Sequence, residues 1–185
     1  MLFVNAGAVL SLVAFLAPTA LGAVVPQSDG LYTIANVATG RVISHYRTEN
    51  PVVGDPVITS LAIVSESQDA STWRVSYLIY EGPGKFNFIT LTGTGTNDDI
   101  YVGSSEGDGL VTQSGPTVFQ LIRVPGAVDP AYWLLLGGQD SLVVTGYNRA
   151  LQLTLETLNT TNTLQAWQFY VPVVSAANET KTGAV

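Results

Sequence analysis

The sequence predicts an all-β fold, a β-trefoil of three pseudo-repeats with about four strands each, preceded by a signal peptide. Three observations predict it. After Pro26, short runs rich in Val, Ile, Thr and Tyr alternate with Gly, Pro, Asn and Asp, and no stretch has helical periodicity. Three segments open alike and three close alike, in alternation along the chain. The closing aromatics, Trp73, Phe119 and Trp167, recur at near-equal intervals of 46 and 48 residues.

The chain begins with a targeting signal. Residues Ala6 to Val25 form a nearly uncharged apolar run, densest from Val9 to Leu16. Pro18 and the small-residue pattern Ala20-Leu21-Gly22 follow, which is the layout a signal peptidase needs. A signal peptide over 1–23 is therefore expected, and with it a secreted, extracellular product. No Lys or Arg precedes the run, and it is about long enough to span a bilayer, so an uncleaved anchor is the competing reading and the one route to a membrane. The sequons Asn159-Thr160-Thr161 and Asn178-Glu179-Thr180 suit a secretory lumen and imply a glycoprotein.

The remaining chain divides into a domain over 24–174, with units at about 30–79, 84–125 and 130–174, and a flexible polar tail over 175–185. The units open on Gly30-Leu31-Tyr32-Thr33-Ile34, Gly84-Lys85-Phe86-Asn87-Phe88 and Pro130-Ala131-Tyr132-Trp133-Leu134: a turn-former, an aromatic, then an apolar residue at every second place. Tyr32, Phe86 and Tyr132 are thus expected as equivalent anchors of the first strands. Second strands are expected at Val42-Ile43, Ile100-Tyr101-Val102 and Leu142-Val143-Val144. Third strands follow the turns Gly54-Asp55-Pro56, Gly107-Asp108-Gly109 and Asn148-Arg149-Ala150. Within Leu151 to Leu158, Leu151, Leu153 and Leu155 alternate with Gln152, Thr154 and Glu156, the pattern of a half-buried strand. The units close on Trp73-Arg74-Val75, Phe119-Gln120-Leu121 and Trp167-Gln168-Phe169. One such unit cannot bury its inner face alone. Three packed about a pseudo-threefold axis can, and a closed barrel leaves no exposed sheet edge.

Composition excludes several functions. The 185 residues carry 11% charged and 46% hydrophobic side chains, a mix able to bury a sizeable core. Net charge is −7, and the seven Lys and Arg are scattered, so no basic face exists to displace counterions from nucleic acid. There is no cysteine, which removes disulfides, thiolate metal sites and cysteine nucleophiles. No metal-ligand spacing is present and no cofactor is expected. Gly103-Ser104-Ser105-Glu106-Gly107 fits the hydrolase elbow pattern, but no helix follows and the single histidine, His45, lies upstream. Asp98 and Asp99 are adjacent, and neighbours in extended chain point to opposite faces. An enzyme is not expected.

The three units in register resemble the ricin-B-like β-trefoil lectins, small fungal members in particular. Gly30-Leu31-Tyr32-Thr33-Ile34 matches the opening strand of that family, Gly40-Arg41-Val42-Ile43 its second, and Gln165-Ala166-Trp167 is a complete closing Gln-x-Trp; unit one keeps only Trp73 of it and unit two only Phe119. The resemblance covers about Gly30 to Val171 and implies carbohydrate binding. It also implies that Trp73, Phe119 and Trp167 are core. Galactose-binding members carry an Asp just after the second strand, to accept from sugar hydroxyls. The matching residues here are Ser44, Gly103 and Thr145, and no unit retains the Asp.

A sugar site needs an aromatic face and short polar groups. Unit three offers Tyr147 and Asn148 on a loop, with Gln152 and Trp133 near; unit one offers His45 and Tyr46; unit two offers Tyr101 with Asp98 and Asp99. Loop Tyr and Asn are also ordinary turn residues. Two functions remain: a secreted lectin-like module that takes a glycan or glycoprotein, using Tyr147, Asn148, Gln152, His45 and Tyr46, or a trefoil inhibitor that presents the loops Arg47 to Asp55 and Ser65 to Ser71 to a protease.

Overall fold

The computed structural model describes residues 22–46, 51–61, 68–79, 87–94, 100–105, 107–139 and 141–172. Residues 1–21 of the expected signal peptide, Phe86, Asp98, Asp99, Asn178 and the tail from 175 lie outside them. Unit one holds β1 (Gly30–Asn36), β2 (Val42–His45), β3 (Val57–Ser60) and β4 (Thr72–Ile79). Unit two holds β5 (Asn87–Gly93), β6 (Tyr101–Ser104), β7 (Leu110–Gln113) and β8 (Phe119–Arg123). Unit three holds β9 (Tyr132–Leu136), β10 (Leu142–Thr145), β11 (Thr154–Thr157) and β12 (Trp167–Tyr170).

First and fourth strands close a six-stranded antiparallel barrel in which β1 pairs β4, β4 pairs β5, β5 pairs β8, β8 pairs β9, β9 pairs β12 and β12 pairs β1. The second and third strands form three hairpins that cap one end. The hairpins join in a ring. Pro56 bridges Val111, Gly109 bridges Thr154, and Gln152 bridges Ile58, so a residue at the entry to each third strand pairs with the next unit. This is a threefold closure, and it leaves no free edge around the barrel.

The ladder register sets the equivalences. Opposite the closing aromatic of its own unit stands Tyr32 (Trp73), Ile89 (Phe119) and Tyr132 (Trp167). Ile89, three residues past Phe86, therefore holds the first-strand anchor position of unit two. Tyr32 and Tyr132 both meet Phe169 edge-on, with ring centroids 5.8 Å apart in each case. Trp73, Phe119 and Trp167 are fully buried, as expected. The indole N–H of Trp73 donates to the Ile43 carbonyl at 3.0 Å and that of Trp167 to the Val144 carbonyl at 2.9 Å, satisfying the one polar atom of each ring. Gln165 is buried with both ends paired: its amide donates to Thr145 Oγ1 and the Thr157 carbonyl, and its Oε1 accepts from the Asn159 N–H.

Two local expectations shift. The alternating run from Leu151 begins its regular strand only at Thr154, and Leu151 is exposed, because the chain is first diverted into the inter-unit bridge at Gln152. The segment expected as a protruding loop up to Ser71 ends in a packed 3-10 turn, Gln68–Ser71, where Ala70 is buried and its carbonyl accepts from Ser44. Among the described residues of the other loop, Val52, Val53 and Gly54 are exposed, and Pro51 and Asp55 are buried.

The seams between units show a paired exchange. By register, Asn36, Gly93 and Leu136 are equivalent, as are His45, Ser104 and Gly146. Where unit three meets unit one, Gly146 lies against Trp167; the Asn36 amide is its neighbour and donates to the carbonyls of Leu164 and Ala166. Where unit one meets unit two, the small and large residues trade places. The His45 ring lies 4.5 Å from Trp73, and Gly93 leaves it room. A Cβ at Gly93 would sit 2.5 Å from His45 Nε2 and 2.7 Å from Cε1. Gly93→Ala is expected to cost roughly 1–3 kcal/mol by overpacking. His45→Ala in the same chain should recover part of that loss, so that urea denaturation shows the two substitutions to be non-additive.

Candidate functional site

The outer face of the β10–β11 hairpin gathers polar side chains around one aromatic ring. Leu153 and Leu155 point into the core, so the intervening Thr154 and Glu156 point outward by the two-residue period of a strand. Cross-strand pairing sets Thr154 opposite Thr145 and Glu156 opposite Val143. Gly146 turns the chain away from Trp167, and Tyr147 follows it onto this outer face. The Tyr147 hydroxyl lies 2.7 Å from Thr154 Oγ1 and donates to Glu156 Oε1 at 3.0 Å, and Thr154 Oγ1 is 3.1 Å from the same oxygen. Partial burial of Tyr147 pushes its hydroxyl pKa upward. The Thr154 hydrogen bond opposes this, while Glu156 reinforces it.

Three oxygens thus make three mutual contacts. A carboxylate accepts only, and each hydroxyl brings one proton. The cluster therefore has two protons for three contacts and is short of one donor.

Of the expected site residues, Tyr147 stands at this face, and Asn148 follows it in the chain. Asn148 is exposed, and its backbone carbonyl accepts from Arg41 Nε of unit one at 3.0 Å, which anchors the loop. Gln152 is elsewhere. Its amide donates to the Leu110 carbonyl at 2.9 Å and lies over Gly109, so it clamps units two and three at the cap and does not join Tyr147. Trp133 is buried in a side cluster with Leu135 and Val143 and offers no ring face. His45, expected beside Tyr46 at a loop site, is 2% exposed and belongs to the core; only Tyr46, at 62%, faces outward. Tyr101 is part of β6 and half-buried. Ser105 of the elbow-like pattern donates to the Gly109 carbonyl, closing a turn between two strands, with no helix after it.

The same register compares the units. Tyr147 corresponds to Tyr46 and Ser105, Thr154 to Ile58 and Val111, and Glu156 to Ser60 and Gln113. Unit one keeps the aromatic without the carboxylate. Unit two has neither, and its Gln113 is engaged by the Gly115 carbonyl and Thr117 Oγ1. The residues at the second-strand position, Ser44, Gly103 and Thr145, are indeed equivalent. Two of them are spent internally: the Ser44 hydroxyl on the Ala70 carbonyl, Thr145 on Gln165. Thr154 and Glu156 were not among the residues singled out from sequence, although the alternation of Leu151 to Leu158 already placed them on the polar face.

A closed barrel with three capping hairpins, and closing tryptophans in units one and three tied to second-strand carbonyls, defines a β-trefoil. The fold is similar to that of ricin B-like lectins. A ricin B-like lectin of Macrolepiota procera, solved in complex with lactose, matches with a TM-score of 0.61 at 18% identity, over 80% of this chain and 100% of its own. The Rhizoctonia solani agglutinin matches at 0.62 and 19%, over 81% and 100%. Cry35Ab1 matches at 0.56 and 16%, over 81% of this chain and 38% of its own. No protein-family model matches the sequence, and no curated protein does.

Proposed function

We propose that this protein is a secreted carbohydrate-binding module, not an enzyme, and that its principal site is the outer face of the unit-three hairpin. The observation that carries the reading is the cluster of Tyr147, Thr154 and Glu156, which is one hydrogen-bond donor short and lies beside a half-exposed ring. A sugar supplies what the cluster lacks. Its hydroxyls donate to Glu156 and Thr154, its apolar ring face packs on Tyr147, and the exposed Asn148 amide can meet a further hydroxyl. Glu156, on the third strand, takes over the acceptor role that the second-strand Asp has in galactose-binding trefoils. The likeness of the fold to lectins supports the same reading.

A glycan array with the mature protein, followed by titration calorimetry of the hits, tests it. Tyr147→Ala and Glu156→Gln are each expected to lower affinity about tenfold or more, since a charge-assisted hydrogen bond contributes ~1.5–3 kcal/mol. Tyr46→Ala should change it little. An array with no hits, or hits indifferent to both unit-three substitutions, would remove the proposal.

A further inference from the structure

Resting on the reading above, the geometry points to a ligand class: we propose that the unit-three site prefers glycans that bear a free amine, glucosamine-type residues, over their N-acetylated or neutral counterparts. Glu156 is half-buried, and its partners are two neutral hydroxyls. Among the described residues no cation pairs with this carboxylate. Arg149 follows Asn148 in the chain, and Arg41 reaches the same loop from unit one. Arg41 is turned to the Asn148 carbonyl. The net charge of −7 adds a general attraction for cations.

An ammonium fits each of these features. It brings three donors to a cluster short of one, its hydrogen bonds to a carboxylate are roughly twice as strong as neutral ones, and it is attracted to the Tyr147 ring face. An acetamido group brings one neutral N–H and no charge. Units one and two cannot share the preference, because Ser60 and Gln113 replace the carboxylate.

The test is calorimetry at pH 6 with short glucosamine oligomers, N-acetylglucosamine oligomers of the same length, and lactose. The glucosamine oligomers should bind about tenfold tighter or more, and this margin should shrink as salt rises. Glu156→Gln should abolish the margin. Asp129→Asn, an equal change of charge in the turn between β8 and β9, should keep it. Three results overturn the proposal: equal or weaker binding of the free-amine oligomers, a margin that survives in Glu156→Gln, or an equal loss in both variants, which is the mark of unspecific attraction. If neutral glycans still bind and depend on Tyr147, the lectin reading stands without the amine preference. If no oligomer of any kind binds, both fall.

Discussion

Replacing Trp167 by Ala should bring the domain close to unfolding at room temperature. The ring is fully buried at the junction of β12, β9 and β1, and Gly146 lies against its far edge. Truncating a buried Trp costs roughly 3–5 kcal/mol, and leaving the Val144 carbonyl without its donor adds about 1–3 kcal/mol. A domain of this size has only about 5–15 kcal/mol in hand. The melting temperature should therefore fall by at least ~10 °C, at about 2–4 °C per kcal/mol. Trp167→Phe is the informative partner. Phe119 already fills the equivalent place in unit two, fully buried and with no indole N–H to offer. A Phe at 167 should thus keep most of the packing and lose mainly the hydrogen bond to Val144, at about 1–3 kcal/mol. Thermal and urea denaturation of the two variants would rank them. A drop in Trp167→Ala no larger than in Trp167→Phe would mean that the closing aromatics do not hold the units together.

The closing positions were legible in sequence because their burial is total: an aromatic, a polar residue and an apolar residue is what a short barrel strand with one inner face requires. The second-strand equivalence of Ser44, Gly103 and Thr145 was legible too, since each follows an apolar pair whose spacing the cap does not alter. The anchor of unit two was not. A turn-former followed by an aromatic marks where a strand begins, but register is settled across strands, where β5 pairs with both β4 and β8 and brings Ile89, not Phe86, opposite Phe119. His45 and Gln152 misled for a related reason. Polar residues at the ends of short strands read as loop residues, yet every residue of β2 is buried, and Gln152 is claimed by a carbonyl 42 positions away. Half of the candidate site was visible as Tyr147 and Asn148. The other half, Thr154 and Glu156, sits on the far arm of the same hairpin, and only the folded turn makes neighbours of residues seven and nine positions apart.

The buried His45 should make the protein acid-sensitive in a defined window. Neither ring nitrogen has a hydrogen-bond partner, and the ring is enclosed by Trp73 and Gly93. Burial disfavours the charged imidazolium and lowers the pKa from 6.5 to about 4; the negative charge of Asp55 works against this but does not prevail. Between pH 6.5 and 4 the unfolded chain takes up a proton at this residue and the folded chain does not. Stability must therefore fall as pH drops through that window, and below it both states are protonated and the penalty is constant. At about 1.4 kcal/mol per pH unit, the full loss is roughly 3 kcal/mol. His45→Phe keeps a ring against Trp73 and removes the titration together with two unpaired polar atoms. Carboxylates elsewhere affect both proteins alike, so the difference between their urea midpoints isolates the histidine. That difference should widen steadily from pH 7 to 4 in favour of the Phe variant and then level off. Parallel curves would mean that the imidazole finds a proton partner in the fold, and that the exchange of large and small residues between His45–Gly93 and Asn36–Gly146 is a matter of volume alone.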